Sequence, residues 1–223
     1  MPFLQNSYNF DRLNCMLQIA VLGSGRGSNF QAILDAIGER VVVNVRVRIV
    51  ISNNSNAGIL GIARANAIPA LHLSQRSFED ERTFVDALLD ALKAHEVNFL
   101  VLAGYMKQLH PRVIAAFRHR IINIHPALLP KYGGKGMYGM HVHEAVVANR
   151  ESVTGATVHI VDEEFDHGAI VLQKQVPVAP GESPEDVAAK VLEVEHEIFP
   201  RALQLFADGK VTVAEDTVTV HHK

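Results

Sequence analysis

A chain of 223 residues, 48% hydrophobic and 20% charged, is long enough to bury a substantial core and has the composition of a globular protein. Its 21 basic and 24 acidic residues leave a formal net charge of −3, which excludes a partner captured by bulk attraction, whether nucleic acid or anionic membrane. The single cysteine, Cys15, excludes an internal disulfide and a cysteine metal cluster, and no stretch nears the roughly 20 apolar residues of a membrane span, so a cytoplasmic location is expected.

Residues 1–15 scatter polar side chains among apolar ones, lack the apolar run of a signal peptide, and read as an extension before Met16. Leu17-Gln18-Ile19-Ala20-Val21-Leu22 is a strand-length apolar run that opens into Gly23-Ser24-Gly25-Arg26-Gly27-Ser28-Asn29. Phe30, Ile33, Leu34 and Ile37 then follow at helical spacing. Residues 41–51 alternate as a strand, 57–66 as a short helix and 68–73 as a third strand. Ser77-Phe78-Glu79-Asp80 resembles a capping box for a helix that ends near His95. The apolar run Phe99-Leu100-Val101-Leu102-Ala103-Gly104 predicts a central strand covered on both faces, and 111–118 a helix. After Pro130, four glycines in ten residues predict a mobile active-site loop over 131–140, followed by a helix over 141–149. Strands are expected at 157–161 and 169–178, and Ser183-Pro184-Glu185-Asp186 caps a long helix reaching Phe206.

Alternating strands and helices predict a three-layer α/β fold, a mostly parallel twisted sheet of about seven strands flanked by helices. The expected organisation is an extension at 1–15, one domain over 16–210, and a tail at 211–223 that alternates well enough for one edge strand or hairpin arm.

The run Ile121-Ile122-Asn123-Ile124-His125-Pro126 organises the rest. On a strand Asn123 and His125 share one face while Ile122 and Ile124 take the other, and Pro126 ends the ladder, leaving an amide and an imidazole at the carboxyl edge where open α/β sheets bind ligands. Both also fit ordinary strand-end residues bonded to a loop. The glycine-rich turn at the first helix is an anion site in prospect, because helix-start N–H groups and the helix dipole face the ligand. Its spacing is not the dinucleotide fingerprint, and Ser52-Asn53-Asn54 offers no acid for a ribose. With Arg26, Ser28 and Asn29 adding donors, a phosphate monoester on a small substrate fits better. Asp166 stands in a turn after another strand. If it reaches His125, it fixes the tautomer and raises the imidazole pKa, so that Asn123, His125⁺ and Asp166 donate hydrogen bonds to an oxygen gaining negative charge. No protein nucleophile is evident, which favours a substrate amine attacking a carbonyl carbon. His141, His143 and Glu144 invite a metal, but positions i and i+2 of a helix diverge and no third ligand follows, so no metal is expected.

The strings Gly23-Ser24-Gly25-Arg26-Gly27-Ser28-Asn29, Leu102-Ala103-Gly104-Tyr105-Met106, Asn123-Ile124-His125-Pro126-Ala127-Leu128-Leu129-Pro130 and Val158-His159 through Asp166 occur in this order in the phosphoribosylglycinamide formyltransferases of purine synthesis, which the chain resembles from about Met16 to Gly209. The resemblance implies that Asn123, His125 and Asp166 are catalytic, and that Gly27, Ser28 and Asn29 hold the phosphate of glycinamide ribonucleotide. It implies that Glu195 contacts the ribose or glycinamide, and that 10-formyltetrahydrofolate, the co-substrate, lies against Tyr105, Met106, Lys107, Leu109 and the loop from Asp162 to Asp166. Arg82 is expected at the folate glutamate tail. His159, beside the site, is expected either to pack as a strand histidine, the reading slightly preferred, or to orient the catalytic side chains. A methionyl-tRNA formyltransferase would carry a further C-terminal domain and a formyltetrahydrofolate hydrolase an N-terminal one, so neither is expected. The implied reaction is direct transfer through a tetrahedral oxyanion, with small-molecule substrates, no nucleic acid or membrane partner, and a monomer or homodimer. Hydrolysis of the formylfolate, or non-catalytic binding of a phosphorylated metabolite, are the rival readings. The glycine loop is expected to close as a lid on folate.

Overall fold

The computed structural model describes residues 8–9, 16–214 and 217–221. Strand β1 (Tyr8–Asn9) precedes β2 (Leu17–Leu22), α1 (Ser28–Gly38), β3 (Val45–Ser52), α2 (Gly58–Ala65), β4 (Ala70–His72), α3 (Glu81–Ala94), β5 (Phe99–Leu102), α4 (Pro111–Ala116) and β6 (Ile121–His125). Helix α5 (Met140–Ala148), β7 (Val153–Ile160), β8 (Ile170–Pro177), α6 (Pro184–Ala207), β9 (Val211–Ala214) and β10 (Thr217–Val220) complete it. The rest of the extension at 1–15 lies outside the described residues.

Seven strands form the main sheet in the order β4-β3-β2-β5-β6-β7-β8. The first five are parallel, whereas β7 runs antiparallel to both β6 and β8. The expected three-layer arrangement is present, with helices on both faces. One face packs Ile19, Val21, Val101, Ile122 and Ile124 against Phe30 and Ile33 of α1 and Val191, Phe199 and Leu203 of α6. The other packs Ala20, Leu22, Leu100 and Ile121 against Val85, Leu88 and Leu92 of α3 and Val113 of α4. Side chains alternate across a strand, so a central strand covered on both faces is apolar on both, as β5 is throughout and β2 is apart from Gln18 near its start.

One local signal moved. The start of α3 is capped not by the 77–80 box but by Asp80, whose carboxylate accepts from the Thr83 N–H at 2.7 Å, because residues 75–77 form a 3-10 turn instead. The C-terminal segment folds as two strands, and Val211 and Val213 are buried in the main core. The expected hairpin arm is thus present, and with β1 it forms a small sheet, β1-β9-β10. The Ser183 capping box at the start of α6 forms as expected, with Asp186 as its reciprocal partner.

Candidate active site

The carboxyl ends of β2, β5 and β6 open on a cleft of about 340 Å³, lined by the glycine turn, residues 103–106, Asn123, His125, the 134–140 loop, Asp166 and Glu195. Strand register builds its polar floor. Antiparallel pairing of β6 with β7 sets His159 directly opposite Asn123, and the Asn123 Nδ2 lies 3.0 Å from His159 Nε2. His159 Nδ1 donates to the Ile160 carbonyl at 2.8 Å, so in the neutral ring Nε2 accepts from the Asn123 amide and leaves its second N–H for the cleft, whereas in the charged ring Nε2–H faces Asp166. His159, 2% exposed, is thus both packed in its strand and bonded to the Asn123 amide.

Because β7 descends where β6 rises, its end lies beside Ile122, and the following loop must climb back to reach the carboxyl edge. It does so through Asp166, which takes a left-handed backbone conformation (φ 55°). The loop base is closed by the Ile160 N–H donating to the Ala169 carbonyl at 2.9 Å. Asp166 Oδ2 stands 3.4 Å from His125 Nδ1 and accepts from the Gly134 N–H at 2.9 Å, while its Oδ1 is 3.5 Å from His159 Nε2. Burial raises the Asp166 carboxyl, but His159, His125 and the Gly134 N–H together outweigh it and hold the group below the usual aspartate range.

The expected rise in the His125 pKa does not occur. The ring is 3% exposed, and burial pushes its pKa below the ordinary histidine value against the opposing pull of Asp166 and of the Tyr132 carbonyl. His125 Nε2 donates to that carbonyl at 2.7 Å. At rest both ring nitrogens face protein oxygens, so Asn123 is the donor that stands ready. The glycine-rich loop, read as mobile, is tied into the site at its start: Tyr132 and Lys131 both bond Glu151, at 2.9 and 3.1 Å, and Gly134 holds Asp166.

At the other end of the cleft α1 begins at Ser28 with Gly27 as its N-cap, no capping side chain and no acid in its first turn, which leaves helix-start N–H groups and the positive end of the dipole for an anion. Gly27 has φ 89°, and a Cβ there would sit 2.8 Å from the Ile59 Cα, so the turn needs glycine. Ser24 Oγ, accepting from the Met106 N–H at 2.9 Å, links this turn to the segment after β5. The Asn29 side chain does not face the turn. Its Nδ2 donates to Glu195 Oε2 at 2.6 Å and its Oδ1 is buried without a partner. Glu195 is 7% exposed, and burial pushes its carboxyl up to about 7 against the Asn29 hydrogen bond.

Of the residues expected around folate, Tyr105 and Met106 line the cleft, and Lys107 lines a neighbouring cavity of about 420 Å³ together with Arg76, His72 and Tyr105. Burial pushes the Tyr105 hydroxyl up to about 12. Leu109 is buried in the α3/α4 core and lines neither space. Arg82 is highly exposed and pairs with Asp86 one turn along α3, again outside both, whereas Arg76 lines the second cavity. Asp162 caps the Glu164 N–H and pairs with His167 at 3.0 Å, bordering a third cavity rather than the cleft. His143, singled out in sequence only as a poor metal ligand, lines the cleft, whereas His141 stays outside it paired with Glu144 at 3.2 Å. Among the described residues no three His, Cys, Asp or Glu side chains are grouped to hold a metal ion.

Residues 17–203 match the formyl transferase family. The chain belongs to that family. It is 38% identical over 201 residues to the phosphoribosylglycinamide formyltransferase of Haemophilus influenzae, covering 90% of this chain and 92% of that protein. The chloroplastic phosphoribosylglycinamide formyltransferase of Vigna unguiculata is also 38% identical over 201 residues, 90% of this chain, but the chain spans only 64% of its length. Among solved structures, glycinamide ribonucleotide transformylase 1 from Symbiobacterium toebii superposes with a TM-score of 0.86 at 37% identity, over 92% of this chain and 94% of that one. The formyltransferase fold therefore carries Asn123, His125 and Asp166 at its carboxyl edge, and no helix among the described residues is long and apolar enough to cross a membrane.

Proposed function

We infer that the protein transfers the formyl group of 10-formyltetrahydrofolate to the amine of glycinamide ribonucleotide, giving formylglycinamide ribonucleotide and tetrahydrofolate in purine synthesis. The observation that carries this is one cleft with an uncapped helix start at one end and the Asn123, His125 and Asp166 cluster at the other. A phosphate at Gly27 and the backbone of Ser28 and Asn29, with Arg26 above it, leaves the rest of a ribonucleotide to run past Glu195 toward Asn123. Glu195 suits the ribose or glycinamide because it is a buried acceptor already held by Asn29. Tyr105 and Met106 lie where the folate ring system would enter, and Lys107 with Arg76 supplies positive charge for its glutamate tail.

Attack of the amine on the formyl carbon moves negative charge onto the formyl oxygen. The free N–H of Asn123 meets it in a site that His159 has already oriented, so little reorganisation is needed as charge appears. Displacement of the Tyr132 carbonyl by that oxygen would give His125 the same role, and Asp166 would then stabilise the cation. No covalent intermediate with the protein is needed. The test is formyl transfer followed by the absorbance of the deformylated folate. Product formation that depends on added ribonucleotide is expected, and equal formation with water alone would overturn the reading in favour of hydrolysis.

A further inference from the structure

Tyr132 takes a left-handed backbone conformation, φ 56°, that a bulky side chain rarely adopts. An unfavourable turn persists only where its surroundings over-determine it, and such turns cluster at functional sites. Here a carboxylate supplies much of the hold. Glu151, in the link between α5 and β7, accepts on one oxygen, Oε1, from the Tyr132 hydroxyl at 2.9 Å and from the Lys131 ammonium at 3.1 Å. The Tyr132 side chain also packs against the α1/α6 core. The next residue, Gly133, lies so close to the site that a Cβ there would stand 2.6 Å from the Leu129 Cδ2 and 3.2 Å from the Asp166 Cβ. The turn held in this way offers one group to each member of the His125 and Asp166 pair. Its Tyr132 carbonyl accepts from His125 Nε2 at 2.7 Å, and its Gly134 N–H donates to Asp166 Oδ2 at 2.9 Å.

A carbonyl oxygen can only accept, so His125 Nε2 carries a proton, and a neutral ring then has a lone pair on Nδ1. That lone pair faces Asp166 Oδ2 at 3.4 Å, longer than an ordinary hydrogen bond, and burial favours the neutral ring. Without the carbonyl the choice would reverse. A carboxylate is the stronger acceptor, so the proton would sit on Nδ1 and Nε2 would become an acceptor. We propose that Glu151 is a positioning residue that, through Tyr132, selects the tautomer in which His125 carries its proton on Nε2. This rests on the formyl-transfer reading above, in which the Nε2–H meets the formyl oxygen in place of the Tyr132 carbonyl. In the other tautomer a lone pair would face that oxygen as it gains charge. The titratable groups that bear directly on the ring are Asp166 from the loop after β7, His159 from β7 and His143 from α5, whereas Glu151 acts by way of the Tyr132 turn.

The experiment reads tautomer and turnover together in wild type, Glu151→Ala, Glu151→Gln and Tyr132→Phe, each checked for native circular dichroism and thermal unfolding. Nitrogen-15 NMR of histidine-labelled protein without substrate distinguishes a protonated from a bare ring nitrogen, and the signals lost in His125→Gln assign the ring. Wild type should show Nε2 protonated. In Glu151→Ala and in Tyr132→Phe the proton should move to Nδ1, with kcat lower by about 10-fold to 10²-fold and KM for either substrate changed less than about threefold, because a histidine in the wrong tautomer loses most of its effect. Glu151→Gln, whose amide oxygen can still accept from Tyr132, should restore the wild-type tautomer and part of the rate lost in Glu151→Ala. Retained Nε2 protonation in folded Glu151→Ala overturns the assignment even where stability and rate fall, as does a moved proton with turnover within about threefold of wild type. Should Glu151→Ala fail to fold, Tyr132→Phe decides by the same criteria. The tautomer is read without substrate, so a wild-type protein lacking ribonucleotide-dependent transfer would defeat the functional reading instead, which separates the two failures.

Discussion

Asn29 and Glu195, 166 residues apart in the chain, meet in the lining of the cleft in a 2.6 Å hydrogen bond from the amide Nδ2 to the carboxyl Oε2. That bond joins the first turn of α1 to the middle of α6 and fixes one of the two acids, Glu195 and Asp166, that line the cleft. It also explains why the Asn29 side chain is turned away from the helix start, leaving the anion site there to backbone N–H groups.

The pKa of Glu195 gives this pair a pH signature. Burial raises the carboxyl from its ordinary 4.5 to about 7, so the folded protein holds a proton that the unfolded chain releases. Its contribution to stability is full below pH 4.5 and is lost as the pH rises through about 7. Glu195→Gln keeps an acceptor for Asn29 and removes the titration. The variant should gain stability relative to wild type between pH 5 and pH 8, by up to roughly 3 kcal/mol, in parallel denaturant titrations. A constant difference across that range would show that the carboxyl ionises normally.

Asn123→Ala removes the one donor that stands free at rest. Loss of such a donor costs on the order of 10²–10³ in rate, and kcat should fall by that much with native folding retained. Because His159 would lose its amide partner, Asn123→Ser, which keeps a donor in the wrong place, is expected to be little better. Steady-state kinetics with both substrates saturating checks this, and wild-type turnover in either variant would remove Asn123 from the chemistry.

Asp166→Asn keeps the shape of the loop but takes a negative charge from beside His125. Burial already depresses the His125 pKa, and Asp166 is the strongest opposing influence, so the midpoint should move lower still. Nitrogen-15 NMR of the imidazole ring reads this directly. A fall of kcat comparable to that of Asn123→Ala is expected alongside it. An unmoved His125 midpoint would mean that the 3.4 Å approach carries no electrostatic coupling.

Gly27→Ala tests the anion site. The substitution places a methyl group 2.8 Å from the Ile59 Cα at a φ of 89°, so α1 and α2 must separate or the turn must change conformation. A loss of about 1–3 kcal/mol in stability is expected, and KM for the ribonucleotide should rise by about tenfold or more while KM for the folate stays near wild type. Equal changes in both constants would argue that the phosphate sits elsewhere.

Much of the site was legible because its signals are local. Alternation along residues 121–125 is a property of any strand, so Asn123 and His125 had to share a face once Ile122 and Ile124 were committed to the core, and both isoleucines are buried in the α1/α6 cluster. The uncapped glycine turn was equally readable, since Gly27 and the polar residues after it are contiguous. Antiparallel pairing of β7 with β6 was not, because nothing within either strand records which neighbour it will choose; that pairing is what sets His159 against Asn123. The proton state of His125 is not local either, for a related reason. Proximity to Asp166 is one contact and can be guessed, but burial sums over every residue that closes the cleft, and here it outweighs the contact.

Period and composition were enough to establish an α/β sheet, the edge that carries the chemistry, and the types of side chain presented there, because each depends on residues close together in the chain. Packing alone decided which face of α5 looks inward, how Tyr132 and Gly134 hold the two ends of the His125 and Asp166 pair, and how deeply Glu195 is buried. Those outcomes depend on the distances between elements far apart in the chain, and no short segment encodes such distances.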